Sequence, residues 1–294
     1  MTELTDYIKS KRDTLSASSL KTYTSILKSL YSKVFDDEKI NMKKFDETDK
    51  IISYLKDLEP NKRKTILSAL VVVTNKPAYR DLMMEDIHQY KTEINKQEKT
   101  DEQKENWVDG DELNKTFDLY KKESDLLYKK TNLKAGDLQE IQNYIILCLL
   151  SGKFIIPRRS MDYVNLKIKG DIDKDKDNYI DKNKFVFNSY KTAKTYGKQE
   201  IIIPKPLQTI LKKWISINPN DYLLFDTNNN KLTNVKLNQR LNKIFGKKAS
   251  VNAMRHTYLT DKYKPLMEAQ KEMSKDLKEM GSSQAQASTY VKLD

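Results

Sequence analysis

At 294 residues the chain has room for two domains, a domain typically taking roughly 100–200 residues. Lys and Arg outnumber Asp and Glu by 54 to 42, and the formal charge of +12 favours a polyanionic partner, because basic side chains that neutralise phosphates release condensed counterions; DNA, RNA and an anionic membrane surface remain equal on that ground. No stretch approaches the roughly 20 apolar residues that cross a bilayer, Met1 to Ser10 carries no visible signal peptide, and the single cysteine, Cys148, excludes an intrachain disulfide framework, so the expectation is a soluble intracellular protein with no membrane partner.

The first part of the chain reads as helical throughout. From Ser19 to Val34 the residues Leu20, Tyr23, Ile26, Leu27, Leu30, Tyr31 and Val34 recur at three- and four-residue steps, one face of an amphipathic helix with serines available as caps. Ile51, Ile52, Leu55 and Leu58 share a face over Thr48 to Leu58, and Pro60 stops that helix. Two more helices fit Lys62 to Val73 and Pro77 to about Asn95. Residues 1–94 are therefore expected to form a compact helical bundle. The run from Asn95 to Asn106, NKQEKTDEQKEN, has no aliphatic residue and can bury nothing; residues 95–106 are assigned as a linker, with the second domain over 107–294.

The second domain mixes element types. Leu138 to Leu150 is dense enough in Ile, Leu and Tyr for a buried helix, and Cys148 within it reads as a small core residue. Tyr163 to Ile168, Lys184 to Asn188 and Glu200 to Ile203 read as three short strands. Helices are expected over Pro206 to Ile217, Asn234 to Phe245, Val251 to Tyr263 and Leu266 to Met280. This order gives a mostly helical α+β chain with a small three-stranded antiparallel sheet.

Between the first two strands, Asp171, Asp173, Asp175 and Asp177 alternate like the start of an EF-hand loop. The required Gly at position six and Glu at position twelve are replaced by Lys176 and Lys182, or by Asn178 and Lys184 in the other frame, so a charged hairpin tip is the better assignment. No Gly-rich phosphate loop ends in Lys-Ser or Lys-Thr, and two histidines with one cysteine lack zinc-ligand spacing, so no cofactor or metal is expected.

Five segments carry the chemistry. Pro157-Arg158-Arg159-Ser160-Met161-Asp162 leads into the first strand, and Tyr190-Lys191-Thr192-Ala193-Lys194 sits at the turn between strands two and three. Asn252-Ala253-Met254-Arg255-His256-Thr257 opens a helix, Met280-Gly281-Ser282-Ser283 ends another, and Thr289-Tyr290 follows eight residues after Ser282. In this order the chain resembles the tyrosine recombinases, the phage-type integrase family. Arg159 with Asp162 matches the family's first box, Asn252-x-x-Arg255-His256-Thr257 its second, and Met280-Gly281-Ser282-Ser283 with Tyr290 its third; the hairpin lysine corresponds best to Lys191, with Lys194 repeating the pattern and Arg158 an alternate to Arg159. The motif wording looks most like integrases of large DNA viruses and mobile elements. Two positions depart from the family: Asn252 stands for the usual His and can donate a hydrogen bond but not shuttle a proton near neutrality, and Ser282 stands for the usual His or Trp.

The resemblance implies a helical core-binding domain, a catalytic domain and site-specific cleavage and rejoining of double-stranded DNA. Tyr290 would attack the phosphodiester to give a 3′-phosphotyrosine, which conserves bond energy, so rejoining needs neither ATP nor metal. Arg159 and Arg255 would clamp the non-bridging oxygens of the charged transition state, Asn252 and Ser282 would contact the phosphate, and Lys191 would protonate the leaving oxygen. His256 is expected to be a buried core residue. The family works as a tetramer on DNA; only Val291 to Asp294 follow Tyr290, too short for a docking helix, so either the tail is truncated or assembly uses another surface, and a monomer when unbound is compatible with both. The alternatives are a catalytically weak or inactive DNA-binding relative, a type IB-like topoisomerase, and a helical scaffold whose charge is incidental.

Overall fold

A computed structural model describes residues 3–292. Residues 1, 2, 293 and 294, which include the ends of the segments considered above for a leader and a tail, lie outside the described residues. The chain divides into two compact units between Lys99 and Thr100.

The first unit is a helical bundle: α1 (Glu3–Lys11), α2 (Ala17–Val34), a 3-10 turn (Met42–Asp46), α3 (Thr48–Leu55), α4 (Pro60–Thr74) and α5 (Pro77–Asn95). Ser16 caps α2 by accepting the Ser19 amide at 3.1 Å, one of the amides that a helix start leaves unpaired. Pro60 and Pro77 open α4 and α5, where proline's missing N–H costs nothing. Leu27, Leu30, Phe45, Ile51, Leu55, Leu67 and Leu70 fill the core, with Tyr79 donating its hydroxyl to the Phe45 carbonyl at 2.9 Å. The periodic stretches fold as expected; α1 is an addition, with Leu4 and Ile8 buried and Tyr7 packed against the core. Pro60 starts α4 as well as ending the preceding segment.

The polar run after Asn95 is not wholly extended. It contains α6 (Asp101–Glu105), whose Thr100 cap exchanges hydrogen bonds with Gln103 at both ends of a capping box. The second unit continues through α7 (Gly110–Leu127), α8 (Ala135–Leu150) and α9 (Ser160–Val164), then β1 (Leu166–Lys167), β2 (Asn178–Asp181) and β3 (Lys184–Phe187), then α10 (Ala193–Tyr196) and β4 (Gln199–Ile202). α11 (Lys205–Ile217), α12 (Asn234–Phe245), α13 (Val251–Glu279), a 3-10 turn (Gln284–Gln286) and α14 (Ala287–Tyr290) complete it.

Every residue from Ile141 to Leu150 is buried, so the second half of α8 is the axis around which this unit packs. Cys148 is fully buried there, and burial pushes its thiol up to about 12, as suits a packing residue. The sheet has order β1-β2-β3-β4. β2, β3 and β4 pair antiparallel, and β1 adds a two-residue parallel edge, giving a mixed sheet of four strands where three were expected. Two details differ from the sequence expectation. Tyr163 and Val164 belong to α9 rather than to a strand, with Tyr163 fully buried and donating to the Leu149 carbonyl at 3.1 Å. The acidic segment leads into β2, and its carboxylates are occupied by lysines, Asp177 by Lys167 at 2.7 Å and Asp173 by Lys176 at 3.1 Å.

The two helices expected over 251–280 are one. α13 runs 29 residues with Pro265 inside it. Its root is firmly seated: Val251, Met254 and Thr257 face the core, and the Thr257 hydroxyl donates to the Val108 carbonyl at 2.6 Å. Tyr258 lies over Gly152, whose φ is +78°, and a Cβ at that glycine would come within 2.3 Å of the tyrosine ring. Beyond Asp261 nearly every residue is exposed until Leu277.

Candidate active site

Arg158 and Arg159 immediately precede α9, with Arg159 in the cap position (ψ 154°), so the turn presents two neighbouring side chains in different directions. Arg158 is fully engaged. Its Nε donates to Asp162 Oδ2 at 2.7 Å and its Nη1 to Gln199 Oε1 at 2.7 Å. The guanidinium carbon also sits 4.1 Å from the Phe187 ring centroid and 5.1 Å from that of Tyr190. Arg158 therefore ties α9 to β3, β4 and the connection between them. Arg159, by contrast, has no hydrogen bond or ion pair among the described residues and is half-buried.

Arg255 arrives from the second turn of α13. Ser250 caps that helix by accepting the Ala253 amide at 3.1 Å, and the core phase of Val251, Met254 and Thr257 leaves Asn252, Arg255 and His256 facing away from the core. Arg255 donates to Asn252 Oδ1 at 3.2 Å. Its guanidinium is pushed below its ordinary value, first by burial and next by the positive charge of Arg159, while Asp162 pulls the other way. The two guanidiniums thus lie close enough to repel. Asp162, the acid between them, is already paired with Arg158; burial pushes its carboxyl up against the pull of Arg158, Arg159 and Arg255, and its Oδ1 has no hydrogen-bond partner. Two neighbouring arginines with no carboxylate ion-paired to either among the described residues have forks of donors left for an external anion.

Lys191 and Lys194 lie on the connection between β3 and β4, both exposed. Tyr190 closes that connection by donating its hydroxyl to the Gly197 carbonyl at 2.6 Å. The Tyr190 ring rests on Arg158, Lys191 follows it on the exposed connection, and Lys194 is on the following turn, within α10.

The C-terminal residues are elsewhere. Arg255 and Glu279 are separated by 24 residues of α13, about 36 Å at 1.5 Å per residue. The Ser282 amide bonds back to the Leu277 carbonyl at 2.7 Å and its hydroxyl pairs with Gln286 at 3.0 Å. From there to Tyr290 the backbone is mostly helical. Even doubled straight back, that short segment would leave the Tyr290 backbone roughly 15–20 Å from that of Arg255. Tyr290 is 54 % exposed, and no hydrogen bond, ion pair or ring contact joins it to either arginine among the described residues. The structure therefore brings together Arg159, Arg255 and Asn252, shows no contact of Lys191 or Lys194 with them among the described residues, and leaves Ser282 and Tyr290 on the far end of α13.

Two solved structures resemble the chain. One is the XerA recombinase, with 16% identity, a TM-score of 0.32 and coverage of 88% of this chain and 84% of that one. The other is the XerH site-specific recombinase bound to palindromic difH substrate in a post-cleavage complex, with 14% identity, a TM-score of 0.40 and coverage of 88% and 83%. No family model and no curated protein matches. At such low identity and overlap the likeness adds nothing to the argument from the site itself.

Sequence reasoning misplaced two side chains. Arg158 stood as an interchangeable neighbour of Arg159; its spacing of four from Asp162, with α9 beginning at Ser160, was the available signal for the ion pair. His256 was expected in the core, yet it is exposed and lines a cleft with Trp107, Lys248 and Asn252. Its spacing of four from Asn252 on a helix already put the two on one face.

Proposed function

We propose that the chain is a DNA strand transferase of the tyrosine-recombinase type, acting at specific sites on duplex DNA, and that the phenol is delivered by a second copy of the chain. What supports it most is that Arg159 and Arg255 are neighbours, the charge of the first pushing the second's guanidinium down, and that neither is ion-paired to a carboxylate among the described residues. Held beside a scissile phosphate, they match the two non-bridging oxygens, whose charge grows as the pentavalent transition state forms, so they stabilise that state more than the ground state. The Tyr290 oxygen forms a bond to phosphorus, the bond to the 5′ oxygen breaks, and Lys191, or Lys194 behind it, gives that oxygen its proton. The motif wording is what favours an integrase of a virus or mobile element.

Delivery by a second copy follows from α13. A phenol carried on a long exposed helix is poorly placed for its own chain's arginines and well placed for another's. The test uses a nicked, random-sequence duplex library that traps covalent products. Wild-type protein is expected to form an adduct that survives denaturant, and Tyr290→Phe and Arg255→Ala each to form none. Mixing the two variants should restore adduct on the Arg255→Ala chain. No adduct in the mixture, with wild type active, would refute delivery in trans; no adduct with wild type, together with retained salt-sensitive DNA binding, would favour a non-catalytic DNA-binding protein.

A further inference from the structure

A cleft at the root of α13 has a volume of about 230 Å³ and is lined by Glu102, Trp107, Lys248, Ser250, Asn252 and His256. Its charged groups are largely spoken for: Lys248 lies 3.6 Å from Glu102, and the neighbouring Lys247 pairs with Glu112. His256 is different. It is exposed, and no hydrogen bond, ion pair or ring contact engages its imidazole among the described residues. At about 100° per residue, Asn252 lies between Arg255 and His256 around α13, about 60° from one and 40° from the other. Arg255 already donates to Asn252. Asn252 thus lies between the guanidinium and the imidazole around the helix, and it and His256 both line the cleft.

We propose that His256 is a catalytic residue, the general base that accepts the phenolic proton during strand cleavage. The inference rests on the strand-transferase reading. In the step, an electron pair of the tyrosine oxygen forms the new bond to phosphorus, and the phenolic proton passes to the unprotonated imidazole nitrogen. The pair from the broken phosphorus–oxygen bond leaves on the 5′ oxygen, which takes a proton from the hairpin lysine. Of the side-chain types lining the cleft, imidazole is the one whose chemistry suits it to exchanging a proton near neutral pH. In the rejoining direction the same nitrogen returns the proton to the phenol.

The protein has two histidines, His88 and His256, so imidazole resonances can be followed in the full chain and assigned with His88→Gln. Adding a short random-sequence duplex is expected to shift the His256 signals and their pH titration. Indifference of those signals to duplex at saturating concentration overturns the proposal without reference to catalysis. In single-turnover adduct formation on the nicked library, the wild-type rate is expected to fall as pH drops. His256→Gln should lower the rate about 10²–10⁴-fold at neutral pH and flatten that acid limb. Should His256→Gln keep both the rate and the limb while wild type forms adduct, the base lies elsewhere and the strand-transferase reading stands. Should wild type form no adduct at any pH, the strand-transferase reading falls and this inference falls with it.

Discussion

Replacing Arg158 with Met should destabilise the second unit severely, and the structure says by how much. The guanidinium is 15 % exposed and its Asp162 partner 3 %, with 2.7 Å between the charged atoms. Removing one member of so buried a pair leaves an uncompensated charge and costs about 3–5 kcal/mol. Loss of the stacking on Phe187 and Tyr190 adds about 0.5–2 kcal/mol, partly regained by the methionine's own packing. For a unit of this size that corresponds to a fall in Tm of roughly 6–20 °C. Both tryptophans, Trp107 and Trp214, belong to the second unit, so intrinsic fluorescence in a urea titration reports on that unit alone. A double-mutant cycle with Asp162→Asn separates pairing from packing, because neutralising the orphaned acid should recover more than half of the loss. A single-variant cost below about 1 kcal/mol, or no recovery in the double variant, would refute the view of Arg158 as a pin.

Arg159→Ala is expected to leave stability within about 0.5 kcal/mol of wild type, since no hydrogen bond or ion pair engages that side chain among the described residues, while the salt dependence of DNA binding, read by anisotropy, becomes shallower by about 0.9 in log–log slope for the lost phosphate contact. An unchanged slope would remove Arg159 from the DNA interface. Asp226 gives an acid-stability prediction. Its carboxyl is held below the ordinary aspartate value by Lys236, then by the backbone amides of Asn230 and Asn228. The unfolded chain therefore binds this proton more readily than the folded one; the stabilisation is complete above about pH 4 and is lost as pH falls through the lowered value. Asp226→Asn should flatten the acid limb of fluorescence-detected urea midpoints, and an unaltered limb would discount this carboxyl. Pro265→Ala restores a backbone donor inside α13, where proline costs about 3 kcal/mol, so hydrogen exchange around residues 261–269 should slow while the tryptophan-detected unfolding of the unit stays put. Equal exchange in both proteins would show that the helix already tolerates its proline.

Much of the fold was legible because burial was periodic. α2, α4, α5, α11 and α12 each show apolar residues at three- and four-residue steps, and the solid apolar run of α8 announced its place at the centre. Where burial is polar, the pattern fails. β2 begins with Asn178, fully buried because its amide binds the backbone of Asp162, Asn188 and Ser189, and a residue so placed reads in sequence as part of a charged loop. α9 is five residues long, too short for a helical period to show, and its aromatic and β-branched end imitates a strand. Pro265 suggested two helices because a proline usually ends one; on an exposed helix, water can serve the carbonyl it leaves unpaired. At the site, residue types and order were visible, but which of two adjacent arginines faces a substrate depends on the carboxylate and rings that claim Arg158. The remoteness of Tyr290 was hidden for a similar reason, since it follows from the continuity of α13.

The seating of Tyr258 on Gly152 has a mechanical corollary. From that contact to the far end of α13 the helix is a rod of about 32 Å. A tilt of about 5° at its base would sweep the tip through roughly 3 Å, as much as separates a reacting oxygen from phosphorus in a poised complex. The direction of the helix tip thus depends in part on the fit between one ring and one bare α-carbon, and a single methyl group added at residue 152 would shift that tip from about 32 Å away.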